Sequence, residues 1–137
     1  MPFFSFVDKV TELKAGDRVT AFFKLTGDEE FLQNHFEGFP VMPGVLLLES
    51  LKQAAGQLLN ASGNDSNVLY QLAAVDEVKF GQFIRPGTEL RIQARLSTSD
   101  GQRAFFEGRI DSIEPDSANP RKALVASFCL EPIDFAA

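Results

Sequence analysis

One segment of the sequence repeats with the period of a helix, and it sets the terms for everything around it. From Val45 to about Asn60 the chain reads VLLLESLKQAAGQLLN. At about 100° per residue, Leu47, Leu48, Leu51, Ala54, Ala55, Leu58 and Leu59 gather on one broad side, while Glu49, Gln53 and Gln57 form a narrow polar stripe. A helix this apolar must be covered over most of its circumference. Pro43 and Gly44 stand just before it, a pair suited to starting a helix whose first backbone N–H groups lack intrahelical acceptors. The polar segment Asn60 to Asn67, NASGNDSN, ends it.

The cover has to come from strands. Val19 to Thr26, with Phe22, Phe23 and Leu25, reads as the first, preceded by a short apolar turn or helix around Phe3, Phe4, Phe6 and Val7 and a polar loop. Val68 to Phe80 is an extended candidate, interrupted near Ala74 to Glu77. After Arg85-Pro86-Gly87, Leu90, Ile92, Ala94 and Leu96 alternate with Glu89, Arg91, Gln93 and Arg95, the pattern of a strand with one dry and one wet face. Ser99-Asp100-Gly101 turns the chain into Arg103 to Ile113, and a loop from Glu114 to Pro120 precedes a last strand, Lys122 to Leu130; the strands flanking each of these turns should pair as hairpins. One helix among about five strands implies an α+β fold, an antiparallel sheet folded over the helix. No repeat or linker divides the 137 residues, and 45% hydrophobic content suits one core, so residues 1–137 read as a single domain.

Composition excludes several classes of function. The formal charge of −6 opposes a general role on phosphate backbones, which need clustered positive charge. Cys129 is the only cysteine, so there is no intrachain disulfide and no thiol–imidazole set for structural zinc; in the run ALVASFCL it reads as a core residue. No apolar segment approaches the roughly 20 residues that span a bilayer, and MPFFSFVDKV lacks the basic start of a secretion signal, so a cytoplasmic protein is expected.

The chemistry-bearing residues flank the helix start. His35, the only histidine, is joined to the helix through Pro40, Pro43 and Gly44, a rigid connection that can hold an imidazole over a helix face, and Glu49 follows about a turn and a half into the helix. An imidazole near neutral pKa can take a proton, and a carboxyl group can give one to a departing hydroxyl or orient the resulting water. Each alone is ordinary: a lone histidine is usually structural or exposed, and a helical glutamate is usually solvated. The N–H of Gly44, at the positive end of the helix, can stabilise charge growing on a carbonyl oxygen, or Pro43-Gly44 can simply begin a buried helix. Phe36, Phe39, Phe80 and Phe83 are candidates to line an apolar channel, although 14 phenylalanines also suffice to fill a core.

The segment HFEGFPVMPGVLLLESLKQ resembles the signature of the 3-hydroxyacyl-[acyl-carrier-protein] dehydratases, enzymes of type II fatty-acid synthesis with the hotdog fold. That signature runs close to His-Phe-x-Gly-His-Pro-Val-x-Pro-Gly-Val, then apolar residues and Glu-Ala-x-x-Gln; His35, Phe36, Gly38, Pro40, Val41, Pro43, Gly44, Val45, Glu49 and Gln53 match it. Phe6-Val7-Asp8-Lys9-Val10, Val75-Asp76-Glu77-Val78-Lys79-Phe80 and Ile84-Arg85-Pro86-Gly87 look like further family segments. The chain departs from the pattern at Asn34, usually glycine, Glu37, commonly proline, Phe39, usually histidine, and Lys52, commonly alanine.

The resemblance implies a curved antiparallel sheet wrapped around a long central helix. It implies His35 as the base for the α-proton of a (3R)-3-hydroxyacyl thioester, Glu49 as the partner of the departing hydroxyl, and the Gly44 N–H at the thioester carbonyl, yielding a trans-2-enoyl thioester without metal or organic cofactor. Glutamate rather than aspartate at position 49 favours dehydration without double-bond isomerisation. In the family the two residues come from different subunits of a homodimer, and three dimers often assemble together. The carrier protein is acidic, so docking calls for a local basic patch, with Lys79, Arg85, Arg103, Arg121 and Lys122 as candidates. Two other readings of the same fold are an acyl-thioester hydrolase, with Glu49 activating water, and a non-catalytic acyl-binding or complex-forming subunit.

Overall fold

A computed structural model describes residues 6–25, 44–62, 69–81, 84–100, 102–114 and 119–133. Among them are six strands, β1 (Lys9–Lys14), β2 (Arg18–Lys24), β3 (Tyr70–Phe80), β4 (Glu89–Ser99), β5 (Ala104–Ile113) and β6 (Arg121–Pro132), and one helix, α1 (Gly44–Ser62). The strands form one antiparallel sheet in the order β1-β2-β4-β5-β6-β3. It folds around α1, which touches all six strands. This is the α+β arrangement expected from one nearly all-apolar helix among strands.

The helix is buried as its period requires. Leu47, Leu51, Ala54, Ala55 and Leu58 are inaccessible, and Leu48 and Leu59 pack at the margin. Each leucine so buried contributes about 1.5–3 kcal/mol of transfer free energy. On the sheet, Val19, Ala21 and Phe23 of β2 and Leu90, Ile92 and Ala94 of β4 face the helix, as do Phe106 and Phe128, which stack with ring centroids 5.4 Å apart. Ala94, Gly108 and Ala126 are register partners across β4, β5 and β6. This row of small residues makes a trough in which Leu51 lies against Gly108. Cys129 is buried, as its setting in an apolar run suggested. Among the described residues no helix is long and apolar enough to cross a membrane.

Two parts of the sheet differ from the sequence expectation. The polar stretch after Phe6-Val7 is a strand, β1, not a loop. KVTELK has almost no dry face, and its pairing with β2 rests on backbone hydrogen bonds, with Gly16 at φ 76° closing the turn. The second difference concerns β3, which is separated from β4 in the sheet and pairs with β6 at the far edge. The interruption expected near Ala74 to Glu77 appears as register shifts between Leu72 and Ala74 and between Asp76 and Lys79, with Glu77 at a φ of 51°.

The β4–β5 connection is closed by Asp100, whose Oδ1 accepts hydrogen bonds from the backbone N–H of Arg103 at 2.7 Å and of Gln102 at 3.0 Å. These donors, Arg103 first, hold the Asp100 carboxyl below its ordinary value. A carboxylate with a lowered folded pKa stabilises the fold above the unfolded value, and that contribution disappears as pH falls through the folded value. Asp100→Asn keeps an acceptor but removes the titration. Its urea midpoint is therefore expected to fall less than the wild type's on acidification below the ordinary carboxylate range.

Candidate active site

Glu49 is on the second turn of α1, on the polar stripe, with 32% of its side chain exposed. Its Oε1 accepts from Lys52 Nζ at 3.0 Å and from Gln53 Nε2 at 3.4 Å. Both donors come from the following turn, at the three- and four-residue spacings that bring helical side chains together. Gln53 is itself held: its Oε1 accepts the backbone N–H of Phe6 at 2.7 Å. Phe6 is buried with its ring edge-on to Phe23 at a centroid separation of 5.8 Å, so the segment ahead of β1 is anchored where it meets the stripe.

Gly44 is the first residue of α1, and its N–H therefore has no acceptor within the helix. A methyl group built on Gly44 would sit 2.6 Å from Cε1 of Phe80, so the absent side chain is what lets the ring approach the helix start. Phe80, at the end of β3, is 59% exposed all the same. The structure thus brings Phe80 and Gly44 together. His35, Phe36, Phe39 and Phe83 lie outside the described residues.

The five basic candidates divide between the two ends of the sheet. Lys79 is the next-to-last residue of β3, Arg121 and Lys122 open β6 beside it, and Arg85 is in the connection before β4; all four are exposed at the end that holds Phe80 and the start of α1. Arg103 is at the opposite end of the β5–β6 pair, where its Nε is 3.3 Å from Glu131 Oε2. A separate open hollow of about 340 Å³ is lined by Arg18, Gln93, Arg95, Glu107, Arg109 and Val125 among others. It opens on the face of the sheet turned away from α1 and includes none of the candidate residues.

The sequence reading marked Lys52 only as a departure from the residue common at that position and gave it no partner. Its spacing from Glu49 was the available signal for the ion pair. Nothing local pointed to the Phe6 N–H, which comes from 47 residues earlier in the chain.

Residues 1–112 match a family model described as a FabA-like domain. The 3-hydroxyacyl-[acyl-carrier-protein] dehydratase FabZ of Rhizorhabdus wittichii is 40% identical over 107 residues, 75% of this chain and 67% of that protein. Its namesake in Thiobacillus denitrificans is 43% identical over 68% of this chain and 66% of the relative, just under two thirds of its length. That of Variovorax paradoxus is 37% identical over 77% and 73%. Among solved structures, the dehydratase heterocomplex ApeI:P from Xenorhabdus doucetiae covers 95% of this chain and 84% of its own with a TM-score of 0.72 at 17% identity. The E. coli PaaI protein covers 92% and 79% with a TM-score of 0.67 at 13% identity. At such identities the structural likeness shows the fold alone, which is the hotdog fold. The family-model match over most of the sequence, and dehydratase relatives of about 40% identity, establish that the chain belongs to the 3-hydroxyacyl-[acyl-carrier-protein] dehydratase family.

Proposed function

We infer that this chain dehydrates a (3R)-3-hydroxyacyl-[acyl-carrier-protein] to the trans-2-enoyl thioester. The observation that carries the reading is the family match over residues 1–112, which contains His35, Gly44 and Glu49 together. In this reading His35 takes the proton from C2, the electron pair of that bond forms the C2=C3 double bond, and the C3–O bond breaks. The hydroxyl leaves as water by taking a proton either from the Glu49 carboxyl group or, with the Glu49 carboxylate orienting it, from the imidazolium formed at His35. The Gly44 N–H and the start of α1 polarise the thioester carbonyl, which acidifies C2. Phe36, Phe39, Phe80 and Phe83 line the path of the acyl chain.

The working unit in this reading is a homodimer that shares its active sites, built from one domain per chain and acting in the cytoplasm. The outer edge of β3 supports the dimer. Among the described residues β3 pairs only with β6, and two exposed large apolar residues, Leu69 and Phe80, bracket it. A sheet edge flanked by apolar side chains suits a second copy related by a two-fold axis. The basic group Lys79, Arg85, Arg121 and Lys122 suits an acidic carrier arriving at the end where α1 begins, whereas Arg103 is remote from that group.

Mass analysis of a panel of 3-hydroxyacyl carrier proteins tests the reaction. The expected product has lost one water and kept its thioester. Release of free acid from saturated acyl thioesters would make the chain a hydrolase, and binding without conversion at any chain length would make it a non-catalytic subunit.

A further inference from the structure

We propose that Lys52 is a positioning residue for the dehydration, clamping one oxygen of Glu49 so that the other is presented to the departing hydroxyl. The inference rests on the role given to Glu49 above. Lys52 Nζ and Gln53 Nε2 converge on the same atom, Oε1, at 3.0 and 3.4 Å. Among the described residues Oε2 has no hydrogen-bond or ion-pair partner. A glutamate side chain has three soft torsions, and a carboxylate held by one oxygen keeps the second free in a restricted set of directions. The substrate hydroxyl needs that second oxygen.

Distances decide which donor dominates. The Gln53 contact is long for an N–H···O bond, and its amide is neutral, whereas the Lys52 contact is short and charge-assisted. Gln53 has a different value: with its carbonyl oxygen taken by the Phe6 N–H, its NH₂ end is turned toward Glu49. It is a second, weaker hold on the oxygen that Lys52 clamps. The ammonium and the carboxylate are 27% and 32% exposed, a setting in which an ion pair is screened and adds little to the stability of the fold. Orientation is therefore the contribution that the pair can make.

The test compares full-length Lys52→Met, Lys52→Gln and Lys52→Arg on whichever 3-hydroxyacyl carrier substrate the wild type converts fastest, with melting temperature measured alongside. Loss of positioning near the reacting atoms costs roughly 10- to 100-fold in kcat. That loss is expected for Lys52→Met and Lys52→Gln, with KM and melting temperature close to the wild type. Lys52→Arg, which keeps both charge and donor, is expected to recover most of the rate. In a Glu49→Gln background, Lys52→Met is expected to add no further loss, because the group it orients has already been removed. A wild-type kcat in Lys52→Met, an arginine variant no better than methionine, or a rise confined to KM would overturn the inference, the last by assigning Lys52 to carrier binding. A wild-type chain that converts no 3-hydroxyacyl substrate would instead overturn the proposed reaction.

Discussion

Co-expressed His35→Ala and Glu49→Gln chains are expected to give an enzyme with about one quarter of the wild-type turnover, although either variant purified alone loses about 10²- to 10⁴-fold. The single losses follow from the reaction. Without the imidazole nothing takes the C2 proton, and glutamine can neither supply a proton to the hydroxyl nor hold the water as a carboxylate does. Recovery follows from the proposed sharing of each site between two chains. If chains pair at random, about half of the dimers contain one of each variant, and in these one site collects both altered residues while the other has an intact His35 and an intact Glu49. Neither substitution should unfold the protein. Glu49 is one third exposed, and Lys52, with its ammonium freed, can extend toward solvent. Differently tagged chains would allow the mixed dimer to be isolated. A mixed dimer as inactive as its parents would require both residues to act within one subunit, and a fully active His35→Ala enzyme would remove the histidine from the mechanism.

What could be read from the sequence follows from which interactions leave a local trace. The helix and the dry face of β4 were legible because burial imposes periods of about 3.6 and 2 on the apolar residues, whereas the adjacent Phe22 and Phe23 broke the alternation of β2 in the sequence. β1 left no such trace, since it is an edge strand whose pairing with β2 involves the backbone and whose side chains are nearly all exposed. The partner of β3 was equally hidden, because Phe80 meets Leu124 through a pairing that no local pattern records. Even a wet face misleads in places. Asp111 is on the outer face of β5 but is only 1% exposed, covered by Arg91 and Arg109 at 3.0 and 2.9 Å. At the candidate site, His35, Gly44 and Glu49 are each ordinary alone, and it is the resemblance of the surrounding segment to the dehydratase signature that marks them out. The tether on Glu49 combines a helical neighbour, which spacing suggests, with an anchor at Phe6 that only folding brings within reach.

Gly108 is where the sheet's grip on the helix is most exposed to a single change. A Cβ at this position would be 2.7 and 2.9 Å from the two δ carbons of Leu51 and 2.9 Å from Cε1 of Phe128. Leu51 is fully buried, and Phe128 is stacked on Phe106. Both side chains are buried, so the added volume is taken up by shifts of Leu51 and Phe128 and of α1 against the sheet. Overpacking of this kind costs about 1–3 kcal/mol, with Gly108→Val toward the upper end and Gly108→Ala toward the lower. Leu51→Ala alone opens a cavity at the same point and costs about 2–5 kcal/mol. The Gly108→Val, Leu51→Ala double variant should lose less than the sum of the two, because the valine methyl groups occupy space that the leucine vacates. Urea denaturation of all four proteins measures the coupling, and additive losses would mean that the Gly108 and Leu51 side chains do not compete for one volume. The same strain reaches the site. Leu51 is two residues beyond Glu49 on α1, so a helix lifted at Gly108 displaces the carboxylate, and Gly108→Ala is expected to lose kcat even at temperatures where it remains fully folded.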